Sequence, residues 1–398
     1  VGSEMCIRDR ATIVKVEGMH RIADTFGPIP YVNYGSSSLY DALDLVYNKF
    51  FEELDNAIEV LSNYVNGNVD AKLMSDYDCV YGGDVEKWVK FANTLRLRLA
   101  IRVSYANPTL AEAQAKKSME NMFGFIESKA ERAELSHNSL EYHHPLHEIA
   151  YNFNSGDCRP GATIVAYLNG LNDSRISSYF TAADDGEYHG VRIGITTSNM
   201  SNYQGNKISN LNINRASTPV VWMTAAESFF LRAEGALRGW DMGGTAKSFY
   251  EQGVRMSFEE NNAAGVDDYL ADHTSTPGAF ADNVGSDNYT FSSRVTPAWD
   301  DNAGFEAQLE RIITQKWIAN YPDGPEGWSE YRRTGYPEVI PVVRNSSNGT
   351  IDTQLQVRRL PYTRDEKINN ASGVASGISA LGGQDTGGTK LWWDKKSR

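Results

Sequence analysis

A chain of 398 residues with 51 acidic and 38 basic side chains carries a formal net charge of −13. That charge repels phosphate backbones, and no basic run or basic helix offsets it, which argues against a nucleic-acid partner. The length suffices to bury roughly three quarters of the unfolded surface without a disulfide staple, and no apolar run is long enough for a helix to cross a membrane.

Three Cys, an odd number with no CxxC, support neither a zinc site nor a disulfide framework, and Cys79 with Cys158 stays open between paired and free. No Ser/Gly-rich or Pro-rich linker divides the interior, so 11–398 reads as one domain. The first ten residues, VGSEMCIRDR, lack an apolar leader core and a cleavage site. They look like a translated library adaptor, and the reading sets them outside the fold, with the native start and any targeting signal or lipid anchor missing.

A helical pattern, ATIVKVEGMHRIADTF, follows directly. From Leu39 to Leu61, apolar side chains at Leu43, Val46, Tyr47, Phe50, Phe51, Leu54, Ala57, Ile58 and Leu61 repeat at helical spacing over an acidic outer face. A further helix is expected over 85–105, with Trp88, Phe91, Ala92, Leu95, Leu99 and Val103 inward. Asn107-Pro108 ends it, and Thr109 is expected to cap a neighbour reaching about 122. The segment 124–218 loses periodicity to Asn, Ser, Gly, Asp and Tyr and reads as loops with short elements.

Two helices joined by a Gly-rich turn are expected over 220–240 and 245–258. Ala233, Ala236, Ala246 and Gly253 allow close approach, in a tetratricopeptide-like pattern. Tetratricopeptide-like helices at about 11–122 and 219–258 give an all-α, mainly helical class: hairpins decorated by loop-rich insertions at about 124–218 and 261–303, with a C-terminal part at about 304–398. In that last part FEAQLERIITQKWIANY is an amphipathic helix, and EGWSEYRR reads as one short helical turn. Arg332 and Arg333 could grip an anionic ligand. The favoured reading is structural: pairing with Glu310, Glu326 or Glu330 and stacking on Trp or Tyr rings.

EYHHPLHEIAYNF raises a metal question, because His143 and His147 have helical ligand spacing beside His144, Glu141 and Glu148. HEXXH is absent and Pro145 intervenes, so no metal is expected. No nucleophile elbow, phosphate loop or dinucleotide fingerprint occurs, so neither catalytic residues nor cofactors are assigned.

QKWIANYPDGPEGWSEYRRTGYPEVIP, VRRLPYTRDEKINN and TAAESFFLRAEGALRGW together resemble the SusD/RagB family of nutrient-binding outer-membrane lipoproteins of Bacteroidetes-type bacteria, and FGPIPYVNYG with the helix after it looks like the same family. The resemblance covers roughly 11–398. It implies a lipid-anchored, non-enzymatic surface protein that captures an oligosaccharide or polysaccharide and delivers it to a TonB-dependent, SusC-like transporter. Arg332, Arg333, Arg358 and Arg359 match its signatures as scaffold, so no binding residue is carried over.

Ligand contact is therefore sought in loops, where an exposed ring beside amides and carboxylates suits a sugar. The loops at 179–194 with 201–210, and at 286–302, offer Tyr179, Tyr188, Tyr203, Tyr289, Phe291 and Trp299 as candidates. A helical-repeat scaffold binding only its transporter, or a peptide-binding member of the family, are the alternatives.

Overall fold

The computed structural model describes residues 2–70, 72–135, 143–153, 156, 158–195, 201–282, 285 and 287–396. Four long helices open the chain: α1 (Gly2–Phe26), α2 (Leu43–Gly67), α3 (Val85–Arg102) and α4 (Pro108–Glu120), each packed on its predecessor. The apolar stripe of α2 is buried as its spacing demands, from Leu43 through Leu61 and on to Val65. Asn107, not Thr109, caps α4. Its side chain accepts from Leu110 N, and Pro108 occupies the first turn, where its missing N–H costs nothing.

Residues 2–10, which the sequence reading sets outside the fold, form the first turns of α1. Cys6 and Asp9 are buried there, and Arg10 donates to Leu73 O at 3.0 Å and Asp78 Oδ2 at 3.2 Å. A short strand, β1 (Ala133–Leu135), and the three-residue helix α5 (Pro145–His147) introduce the first insertion. Then come α6 (Ala162–Gly170), α7 (Ile176–Tyr179) and a small antiparallel pair, β2 (Phe180–Thr181) with β3 (Asn210–Leu211).

The expected helix over 220–240 divides. Val220–Met223 is a strand, β4, antiparallel to β1, and α8 (Ala225–Leu237) begins only after Thr224, whose hydroxyl accepts from Glu227 N. The β-branched pair Val220-Val221 favours the strand, and the Thr cap sets the boundary. The partner helix α9 (Ala246–Glu260) is capped by Thr245 in the same way. Gly253 brings the two helices together: a Cβ there would meet the Phe230 ring at 2.8 Å.

Beyond α10 (Val266–Leu270) and the second insertion, α11 (Phe305–Ala319) packs on α8. The segment EGWSEYRR lies within a longer helix than its sequence suggests, α12 (Gly324–Thr334). Asp323 caps it, Pro325 stands in its first turn, and Gly335 ends it at φ 90°. The short α13 (Arg364–Asn369) and α14 (Ala371–Leu381) close the chain. Two large apolar clusters meet along α3, which gives Leu97, Ala100 and Ile101 to one and Leu95 and Leu99 to the other.

Between these clusters lies a buried ion network. From α3, Arg98 pairs with Glu227 at 2.6 Å, while Arg102 reaches Glu330 at 2.7 Å, Asp24 at 3.2 Å and also Glu326. Lys316 of α11 pairs with Glu326 at 3.0 Å, and Arg333 of α12 holds Glu234 at 2.6 Å and Glu330 at 2.5 Å. Burial alone would raise the Glu326 pKa; the cations Arg102, Lys316 and Arg98 outweigh it and hold the carboxyl well below its usual range. Arg332 stacks over Trp328 at 3.5 Å and donates to the carbonyls of Asp24 and Arg358. The dense stretch of rings and guanidinium groups is thus the fastening of α1, α3, α8, α11 and α12.

Candidate ligand-binding surfaces

Four of the six loop aromatics expected to meet ligand are packed inside the protein. Tyr179 donates to Ile318 O at 2.9 Å, and Tyr203 donates to Asp282 Oδ2 at 2.7 Å, tying one insertion to the other. Phe291 sits edge-on to Tyr167, and Trp299 lies against Tyr250 while its Nε1 donates to Asp301. Their rings fix long loops to the helical body, so their faces are already covered. The expectation of an open stacking surface is corrected for these four.

Tyr188 and Tyr289 lie nearer the surface. Tyr188 is half-buried in a cleft of about 260 Å³, with Asn169, Glu187, His189 and Phe280. Tyr289 donates to Glu338 at 2.8 Å, and the Arg192 guanidinium lies 5.6 Å from its ring centre. The structure does not bring the six residues into one site.

A wider groove lies elsewhere among the described residues. A groove of about 800 Å³ runs between the end of α1, the loop that follows it, and α13. Met19, Ile22 and Phe26 form an apolar wall, with Tyr362, Glu366 and Asn370 opposite. The base of the loop is fixed: Asp41 Oδ2 accepts from Tyr31 N at 2.9 Å and Val32 N at 2.7 Å, Tyr362 donates to Pro28 O at 2.8 Å, and Asn370 donates to Ser38 O at 3.1 Å. Tyr40 donates to Glu366, and burial followed by that carboxylate keeps its phenol protonated.

At the tip, Tyr34 is 80% exposed, beside Gly35 and the three serines 36–38. A free ring on a held loop, surrounded by hydroxyls and an amide, is the arrangement that sugar chemistry asks for. Sequence reading passes over it because FGPIPYVNYG registers as a shared signature. The available signal is the run Asn33-Tyr34-Gly35-Ser36, a ring set among turn-forming polar residues.

The histidines do separate work. His144 is buried and its Nδ1 accepts from Leu146 N, His143 meets Arg215 at 2.7 Å, and His147 stacks on Tyr151 at 4.7 Å. Glu141 lies outside the described residues. Among the described residues no group of three metal-binding side chains is placed to hold an ion, and no disulfide joins Cys79 to Cys158.

Residues 4–394 match the model of the SusD-like family, described as SusD and RagB outer membrane lipoproteins. The chain belongs to the SusD-like family. It is similar to a chitin-binding SusD homologue of Flavobacterium johnsoniae, at 42% identity and a TM-score of 0.93 over 98% of this chain and 81% of that one. A SusD homologue of Bacteroides uniformis shares 43% identity at a TM-score of 0.90, again over 98% and 81%. One from Bacteroides vulgatus shares 39% at 0.92, over 99% and 80%. No curated protein matches the chain. SusD-like proteins are non-catalytic binding proteins.

Proposed function

We propose that this SusD-like protein captures an oligosaccharide or polysaccharide at the outer face of the outer membrane, held there by a lipid anchor, and delivers it to a SusC-like, TonB-dependent transporter. The observation that carries the reading is the likeness across nearly the whole chain to a homologue described as chitin-binding. The family's description as outer membrane lipoproteins supports the location.

We place the capture surface in the groove around Tyr34. The ring receives the apolar C–H face of a sugar, and the serine hydroxyls and Asn370 meet its hydroxyl groups. A volume of about 800 Å³ lies toward the upper end of the roughly 300–1,000 Å³ of small-molecule sites, enough for more than one ring. With its Tyr34 ring standing in water, such a groove gives modest affinity, raised by a partner that closes over it or by repeated units of one polymer. Tyr188 and Tyr289 serve as a second, weaker contact region.

Calorimetry of the purified chain against glycan and peptide panels tests this. Saturable binding of one glycan class, lost in Tyr34→Ala at unchanged thermal stability, is expected. Binding of peptides alone would replace the cargo.

One observation favours a second reading, in which the groove receives the transporter itself: its walls come from FGPIPYVNYG and PYTRDEKINN, the segments that carry the family likeness. Co-purification of Tyr34→Ala with a SusC-like barrel separates the two. Loss of the barrel with glycan binding intact would assign the groove to the transporter.

A further inference from the structure

A smaller cavity, of about 210 Å³, lies between β4 and the C-terminal ends of α9 and α11. Trp222 and Tyr321 supply aromatic walls, and Glu260, Asn261 and Asn320 supply polar ones, with Asn212 exposed among the lining residues. Asn320 follows α11 and caps its end through its backbone, its N–H donating to Lys316 O at 2.9 Å. The residue is 5% exposed, yet its amide oxygen has no hydrogen-bond partner among the described residues. A buried acceptor left in this state is unfavourable unless something in the cavity donates to it.

The charges around the cavity narrow what that donor is. Glu227 is held by Arg98 at 2.6 Å, Asp323 by Arg21 at 2.7 Å and the lining Arg132 by Glu134 at 2.5 Å, so the carboxylates do not call for a cation, nor the guanidinium for an anion. Glu260 accepts from Ala225 N at 2.9 Å and Ala226 N at 3.4 Å, and burial lifts its carboxyl to about 7, so near neutral pH it accepts in one form and donates in the other. An uncharged, ring-shaped donor suits both the polar groups and the aromatic walls. The volume lies below the roughly 300 Å³ of ordinary ligand pockets, which limits the occupant to about one ring.

We infer that this cavity is a further glycan subsite, separate from the Tyr34 groove and from the Tyr188 and Tyr289 region, which takes a single sugar ring donating an O–H or an acetamido N–H to Asn320. The inference rests on the glycan-binding reading above. Within it, Asn320 fixes the ring's orientation, Trp222 and Tyr321 cover its apolar faces, and Glu260 meets a further hydroxyl.

The test titrates the full chain with the β-1,4-linked trimers of N-acetylglucosamine and of glucose, using wild type, Asn320→Leu and Asn212→Trp. The first variant removes the acceptor while filling space; the second obstructs the cavity from an exposed position and leaves the core intact should the first fail to fold. At least tenfold weaker binding in the variants is expected. Loss confined to the N-acetylglucosamine trimer identifies an acetamido N–H as the donor, and loss of both trimers identifies a ring hydroxyl. Wild-type affinities in both variants, with Asn320→Leu thermally more stable, would overturn the subsite, leave the cavity to water, and spare the glycan-binding reading. A wild-type chain that binds neither trimer nor any other glycan would overturn both.

Discussion

The ion network around Arg102 and the groove around Tyr34 use the same kinds of side chain to opposite ends. In the network, Arg, Lys and Glu are removed from water and satisfied by one another, so removing any partner leaves its counterpart charged and buried. In the groove, the loop base is equally well bonded, but Tyr34 is left with its ring in water. A cluster that is satisfied internally fastens helices. A ring that packs against nothing on a fixed loop is available to something else.

Breaking the network should have the largest effect. Arg333→Met takes a cation from Glu234 and Glu330, leaving them to Arg238 and Arg102, and Arg102→Met takes one from Asp24, Glu326 and Glu330, leaving Glu326 to Lys316. Each should lose about 3–5 kcal/mol of stability in denaturant unfolding, while replacement of a whole cation–carboxylate set by apolar residues of similar volume should cost far less. Next comes Gly253→Ala, which forces a methyl into the Phe230 ring across the α8–α9 contact and should cost about 1–3 kcal/mol. A loss no larger than that of an exposed helix substitution would show that the two helices can part freely.

Glu260 gives a pH signature. Its folded pKa of about 7, raised chiefly by burial, exceeds an unfolded value of roughly 4.3, so its contribution to stability is full below the unfolded value and is lost as pH rises through about 7. The groups facing it are the Ala225 and Ala226 N–H donors and the cations Arg132 and Lys129, which oppose the shift without cancelling it. Melting temperature of Glu260→Gln measured against wild type from pH 5 to 8 should therefore gain on wild type as pH increases. A constant difference would contradict the burial argument. The smallest effect belongs to Tyr188→Ala, for which we expect less than tenfold weaker glycan binding.

The scaffold was legible in the sequence wherever burial imposed a period. The stripe of α2 and the inward residues of α3 are read directly from spacing, and Arg333 with Glu330 from charge placed i,i+3 on a helix. Boundaries were less so: Val220–Met223 reads as the start of the apolar run of α8, and its pairing with β1, added to the preference of Val220-Val221, makes it a strand. The candidate site was the least legible part. Tyr203 and Tyr34 are both loop tyrosines beside polar neighbours, and what separates them is a bond to Asp282, 79 residues away. Composition predicts a ring in a loop; only the tertiary partner decides whether its face is free.

The most direct test of the account is calorimetric titration of wild type and Tyr34→Ala with the glycan that the wild type binds best, alongside their melting temperatures. The account predicts at least tenfold weaker binding, about 1.4 kcal/mol, with no change in melting temperature. Equal affinity in the two proteins would contradict it and remove the groove from glycan capture.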